Sequence, residues 1–369
     1  MGTIVRFQLG QLWWTRYALS TLLCLVAIAG VWLGGFALVA SVVVVIAVGS
    51  ALDELIGDER EMTTPPPAFC NANLYLAVPA LVVLTAVHMD AVARTDVWRV
   101  GSLLEITATT ALVGYLYALI GATVGHELVH RTKSKVALVS ANMLLAFTFN
   151  TSFTVFHLAG HHRHVGTLRD PASARRGESW MAFFVRTVWG QTAMAYRLER
   201  ARLSRQHRSA LSWRNRVLRR QTFSLAIVAA AYALAGLQGM IAFLLAAFIG
   251  RVAHELINYV QHYGLVRLNG HRIEERHTWN CRRLVSNALQ YNLPRHADHH
   301  LHADREFWQL KINSAAPALP YGYQTMAMIA LVPPLWRRSI GPRLTEWDRT
   351  KASDSERKAI AERGWDALC

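Results

Sequence analysis

Charged side chains are scarce in this sequence. They make up 17% of its 369 residues, whereas 53% are hydrophobic; a soluble chain of this size carries about 25% charged residues. Charge is thinnest in the first 125 residues and is absent from most of the stretch 223–253. That distribution excludes an ordinary globular domain and points to membrane-spanning segments. Cysteine is scarce as well. Cys24, Cys70, Cys281 and Cys369 lie far apart and form no CxxC pair, which excludes a disulfide framework and a cysteine-bound zinc or iron–sulfur site. Internal repeats and low-complexity linkers are missing too, so a single domain over 1–369 is the simpler organisation.

The net charge of +15 could suit nucleic acid, but nothing here resembles a base-reading module. Nine arginines (197, 200, 202, 205, 208, 214, 216, 219 and 220) stand immediately before an apolar run. A juxtamembrane basic stretch of this kind marks the cytoplasmic face and can attract anionic lipid.

Long apolar runs are what the sequence has instead. A spanning helix needs about 20 mostly apolar residues, and the runs predict spans at about 17–33, 35–52, 74–92 and 105–125. No small-residue cleavage site follows the first run, and a second begins at once, so it reads as a span and not as a removable signal. Two stretches are ambiguous. Val136–Phe156 is apolar but interrupted by Ser140, Asn142, Thr148, Asn150, Thr151, Ser152 and Thr154; Phe223–Ala253 is long enough for one tilted helix or two short ones. If the histidine clusters form one site, they lie on one side of the membrane. Val136–Phe156 then does not cross, and the later run crosses twice, at about 223–236 and 240–260, turning near Gly236-Leu237-Gln238-Gly239. The expected fold is therefore an all-α integral membrane protein with six spans and both termini inside. A helical cytoplasmic cap, about 126–221 and 264–369, carries the histidines. Arg197–Arg220 fits the positive-inside rule, whereas Arg94 and Arg99 fall on the other side.

Histidine is the residue type in surplus. Three clusters, HELVH (126–130), HLAGHH (157–162) and HADHH (296–300), hold eight of the sixteen histidines. His262, in NYVQHYG at the end of the last run, makes nine candidate ligands. On a helix, residues four apart share a face, so His126 and His130 can address one metal. HExxH by itself is also the zinc-protease pattern with Glu127 as general base, but such a site needs three protein ligands and leaves six of these unexplained. Nine imidazoles suit two transition metals. His88, His207 and His271 read as hydrogen-bonded interfacial residues. His164, His254, His277 and His302 lie near the clusters and could support them. Metal-bound histidines usually donate their other N–H to a carboxylate or carbonyl, which makes Glu127, Asp170, Glu255, Asn258 and Asp298 candidates for that role. Their alternative is an ordinary pairing with neighbours such as Arg131, Arg169, Arg251 or Arg295.

With these motifs assembled, the sequence resembles the membrane alkane 1-monooxygenases and their xylene monooxygenase relatives, within the fatty-acid desaturase and hydroxylase superfamily. The resemblance rests on HELVHR (126–131), HLAGHH (157–162), DPASARRGES (170–179), NYVQHYGLVR (258–267), HTWN (277–280) and RHADHH (295–300). APALPYGY (316–323) and LVPPLWRR (331–338) extend it, so that it covers about residues 100–350. It implies a bacterial-type inner-membrane enzyme with six helices and a cytoplasmic-side di-iron centre. The implied ligands are His126, His130, His157, His161, His162, His262, His296, His299 and His300. Dioxygen is the implied oxidant, with electrons from a separate rubredoxin or ferredoxin and its NAD(P)H reductase, since this chain carries no CxxC…CxxC of its own. Hydroxylation of a terminal methyl is the implied reaction, in a channel expected among the first four spans. Phe156 and Gln261 stand where the alkane enzymes carry glutamate, and Pro294 where they carry glutamine. The substrate therefore remains a class: alkane, alkyl chain or methylarene. Desaturation on the same centre, a zinc protease built on HELVH, and a non-enzymatic metal or haem carrier are the competing readings.

Overall fold

The computed structural model describes residues 13–59, 65–95 and 100–365; Arg99 and Cys369 lie outside the described residues. Regular structure among the described residues is helical, and the only strand-like pairings are the isolated bridges Asp58–Arg283 and Asn280–Ala318. Five helices are long and apolar enough to cross a membrane: α1 (Trp13–Leu33), α2 (Gly35–Ile56), α3 (Pro67–Ala93), α4 (Val100–Val129) and the run Arg216–His262. α3 starts seven residues before the expected boundary. Pro67 occupies its first turn, where the missing N–H costs nothing and the fixed φ favours a helix. Polar Asn71 and Asn73 are carried inside the helix because their side chains have partners: Asn71 accepts from Arg131, and Asn73 donates to the Phe69 carbonyl.

The run Arg216–His262 is two helices, α8 (216–234) and α9 (237–262). Ala235 and Gly236 leave helical geometry, Gly236 with φ 61° and ψ −152°. A Cβ added at Gly239 would lie 2.7 Å from the Ala231 carbonyl oxygen, whereas eight residues of straight helix span about 12 Å. The chain therefore doubles back at the Gly236-Leu237-Gln238-Gly239 segment. α1 and α2 make the same kind of hairpin at Gly34, with φ 67° and ψ −168°.

The stretch Val136–Phe156 is no continuous helix. α5 (Lys135–Ala146), capped by the Ser134 hydroxyl, has 12 residues, too few for the roughly 20 that crossing requires. After a turn come α6 (residues 153–164), α7 (Trp180–Ser204), and, beyond α9, the short helices α10 (Leu284–Leu289) and α11 (His296–Leu301). α12 (Tyr323–Ala330), α13 (Pro333–Thr350) and α14 (Asp354–Ala361) complete the chain.

α8 and α9 pack on α3 and α4, and the α4–α9 approach is very close. A Cβ on Gly114 would meet the Ala246 carbonyl oxygen at 2.6 Å, and one on Gly250 would meet the Gly114 carbonyl oxygen at 2.8 Å. Small residues at a membrane-helix contact let backbones approach in this way. The outer faces of the long helices carry bare apolar side chains such as Phe36, Leu55, Leu104 and Leu237, as lipid-facing surfaces do.

Gly236 has a backbone conformation essentially reserved for glycine, costing other residues of order 1–3 kcal/mol, and no neighbour within 4 Å. Gly236→Ala should therefore lower the thermal unfolding temperature in detergent, through backbone strain alone. Gly101→Ala, on a helix in open space, should leave it unchanged or raise it.

Candidate metal centre

The histidines sit where long helices end. α4 delivers His126 in its last turn and His130 at its C-cap, and α9 delivers His262 as its final residue. α6 supplies His157, His161 and His162, and α11 supplies His296, His299 and His300. Their nitrogens form two groups, His126–His130–His157–His299 and His161–His262–His296–His300, with the ligand atoms of each group within 4.8 Å of one another. His162 stands between them, its Nε2 3.0 Å from His157 Nε2 and its ring 4.6 Å from that of His300. All nine proposed ligands thus occupy one region, brought from four separate parts of the chain.

His126 and His130 share a group, as four-residue spacing on a helix suggests. His157 and His161 do not. They span a wide π-type turn, His157–His161, and their rings stack 5.2 Å apart, yet each nitrogen joins a different group. Similar turns at Ala47–Ala51 and Tyr117–Ala122 lie in the wall of the neighbouring cavity.

The donor set fits transition metals. Within a group, Nε2–Nε2 separations are 3.0 Å for His130–His157, 3.1 Å for His262–His296 and 3.0 Å for His296–His300. Two nitrogens at right angles around a metal with bonds of roughly 2.1 Å stand about 3.0 Å apart. His299 Nε2 is buried without any hydrogen-bond partner, a cost that a metal would remove. Burial, reinforced by the neighbouring rings, holds His157, His162, His296, His299 and His300 far below the usual imidazole range. They are therefore neutral, the form that binds metal.

Of the five supporting candidates, Asp170 alone touches a grouped ring. Its Oδ2 lies 2.9 Å from His161 Nδ1 and accepts the Ser173 hydroxyl, while Oδ1 accepts the Ala172 N–H. The other four make their bonds elsewhere, which corrects the expectation for them. Glu127 accepts from Arg131 and the Phe307 N–H. Glu255 is held by Arg251, Gln191 and Asn258. Asp298 takes His302, Arg305 and the Lys311 N–H. In each case a nearby cation or donor competes successfully for the side chain. His277 pairs with Glu356 and the Glu274 N–H, and His88 with Thr110; neither touches the centre. His88 is fully buried, unlike the exposed His207 and His271.

The remaining motifs brace this arrangement. Tyr259 donates to the Glu178 carbonyl, and Tyr263 accepts the Gly177 N–H. Arg267 donates to the carbonyls of Val165 and Arg163 just after the second cluster. Asn280 Oδ1 accepts the Ala297 N–H, fixing the start of α11.

Against His126 lies an apolar cavity of about 700 Å³, within the range of sites for drug-sized ligands. It follows α4 from Tyr115 to His126 and α9 from Phe248 to Gln261, roughly 16–20 Å at about 1.5 Å per residue. Its walls come from α2, α4, α7, α9 and α12 with Gln290 and Leu293 of the segment after α10, and nothing from α1 or α3, so the expected channel among the first four spans is only half right. The contributions of α7 and α12 went unread because their apolar residues, among them Met181, Val185 and Met328, look like ordinary amphipathic faces. Those three are exposed at the mouth, where the cavity opens beside the lipid-facing surface.

The Fatty acid desaturase family model matches residues 102–330. Alkane 1-monooxygenase 1 of Pseudomonas aeruginosa is 31% identical over 87% of each chain. Alkane 1-monooxygenase of Ectopseudomonas oleovorans is 31% identical over 90% of this chain and 85% of its own. The chain belongs to the alkane and xylene monooxygenase family. The xylene/toluene monooxygenase hydroxylase component XylM of Pseudomonas putida, 25% identical over 86% of this chain and 87% of its own, extends the set. As a family member the protein is a multi-pass membrane monooxygenase, oxygen-dependent, with a histidine-rich metal centre and a site suited to hydrophobic substrates.

Removing a carboxylate that orients a metal-bound histidine typically costs 10–100-fold in metal affinity or activity. Asp170→Ala should show a loss of about that size in a metal titration of the purified protein, whereas Asp298→Ala should show much less.

Proposed function

We propose that the protein is a di-iron monooxygenase that hydroxylates a C–H bond, at a terminal methyl, of an alkane, alkyl chain or methylarene. One observation carries this reading: two groups of four closely spaced histidines, seven of the eight buried, adjoin a long apolar cavity, and His126 belongs to both features. The groups His126–His130–His157–His299 and His161–His262–His296–His300 would each hold one iron, with His162 as the ninth ligand between them. Two irons bound there supply the reduction of dioxygen and the insertion of one oxygen atom into the substrate. The chain's own residues do the rest. The cavity walls align an extended apolar chain with its end at His126 and exclude water, and Asp170 keeps His161 facing inward.

In this reading the protein is one domain that crosses the membrane six times, α8 and α9 counting separately, with the histidines on the cytoplasmic side of a bacterial-type inner membrane. Arg197, Arg200, Arg205, Arg208, Arg214 and Arg219 are exposed, in keeping with a positive cytoplasmic face. Electrons come from a separate rubredoxin or ferredoxin with its NAD(P)H reductase, and the same arginines offer a docking surface for such an acidic partner. The protease reading has little support, since Glu127 is engaged by Arg131 and Phe307 and five further grouped histidines would have no role.

Elemental analysis should find about two irons per chain, the number that nine nitrogen ligands suit. A panel of alkanes, fatty acyl groups and methylarenes with a surrogate reductase should give products heavier by one oxygen. Loss of two hydrogens would show desaturation instead, and one zinc without iron would overturn the reading. Neutralising several of the exposed arginines should lower NADH-driven turnover and spare peroxide-driven turnover; equal loss of both would remove the docking role.

A further inference from the structure

A second apolar cavity, of about 480 Å³, lies on the same two helices as the first. Leu103 and Thr110 of α4 and Gln238 and Leu245 of α9 line it, and Ile249 is its lining residue farthest along α9. Ile249 also lines the larger cavity, which continues along α4 and α9 from Tyr115 and Phe248 to His126 and Gln261. The two spaces therefore follow one another along a single pair of helices, and Ile249 stands at their junction. Its position is tightly set. A Cβ on Gly114 would come within 2.8 Å of the Ile249 Cβ, so the isoleucine lies directly on the α4 backbone. A β-branched side chain on a helix has one strongly preferred χ1 rotamer, so Ile249 cannot swing aside as leucine or methionine could.

We propose that Ile249 sets the length limit of the substrate. An extended alkyl chain whose reacting end lies at His126 meets Ile249 with its far end. The outer cavity is space that such a tail enters only when the side chain at this position is smaller. The occupant is thus the distal part of the substrate, because the outer cavity is apolar and continues the line of the substrate cavity away from the histidines. This inference rests on the reading of the protein as a hydroxylase of alkyl substrates.

The test compares wild type with Ile249→Ala, Ile249→Phe, and Ile249→Ala combined with Leu245→Trp, which refills the outer cavity. Each is assayed on a graded series of n-alkanes and n-alkylbenzenes with a surrogate reductase, every profile being normalised to its own short-chain turnover. Beyond the wild-type cut-off, Ile249→Ala should raise relative kcat/KM about fourfold for each added methylene, the equivalent of roughly 0.8 kcal/mol per buried CH₂. Ile249→Phe should move the cut-off to shorter chains, and the double variant should lose the extension. A length profile of Ile249→Ala superimposable on wild type would overturn the proposal, as would an extension that survives Leu245→Trp because membrane lipid, not substrate, fills the outer cavity. If Ile249→Ala does not fold, Ile249→Phe carries the same test in the opposite direction.

Binding of the same series, read without turnover by displacement of a fluorescent alkyl probe, separates the two claims. A shifted binding profile without product upholds the length limit and overturns the hydroxylase reading. Product in wild type with no shift in the variants does the reverse, and neither binding nor product overturns both.

Discussion

Burying imidazoles without partners is costly, and this protein buries most of nine in one place. A polar ring taken out of water needs a hydrogen bond or a metal. Much of the architecture around the centre follows from supplying those rings at fixed positions. Two of the long helices end at the centre, so that His126, His130 and His262 emerge from rigid elements. The other six histidines ride on short helices, which the chain must brace separately. Asn280 fixes the start of α11, and Asp170 fixes the ring of His161. The contacts of Tyr259, Tyr263 and Arg267 tie the segment that follows the second cluster, at Gly177, Glu178 and Val165, to the end of α9 and just beyond it.

The same geometry produces the cavity. α4 and α9 carry their histidines at their final turns, and glycines at 114 and 250 bring the two backbones into contact. A space opens between them toward the centre, where the wide turns of α2 and α4 contribute Gly49, Ser50, Ala118 and Leu119 to the wall. α7 and α12 close its sides. An apolar chain lying there has its end beside the histidines by construction, because the helices that line the cavity are the ones that deliver His126 and stop at His262.

Ion pairs at the edge of this centre separate local from distant effects. Glu127, Glu255 and Asp298 are each close in sequence to a grouped histidine or its neighbour, yet each pairs with an arginine and other donors, none of them a ring of the centre. A carboxylate takes the strongest donor within reach, and a guanidinium in hydrogen-bonding geometry is a stronger donor than a neutral imidazole. Asp170, nine residues from His161, reaches its ring because the turn that follows folds the aspartate back. Proximity in sequence was a poor guide to that choice.

Much was legible from residue types and spacing: a helical membrane protein, the clusters that gather, the interruption of the helix within Val136–Phe156, and the reversal near Gly236. These depend on apolar length, on the polar interruptions, and on the requirement that one centre lie on one side of the bilayer. The family followed from several motifs together. What the tertiary structure decided was the division of eight of the nine histidines into two groups, with the neighbouring rings of His157 and His161 assigned to different ones. It also decided which carboxylate supports a ring, and that α7 and α12, not α1 and α3, help to line the cavity. Helical periodicity specifies which face of a helix is apolar; whether that face meets lipid, a neighbouring helix or a cavity depends on packing between segments far apart in the chain.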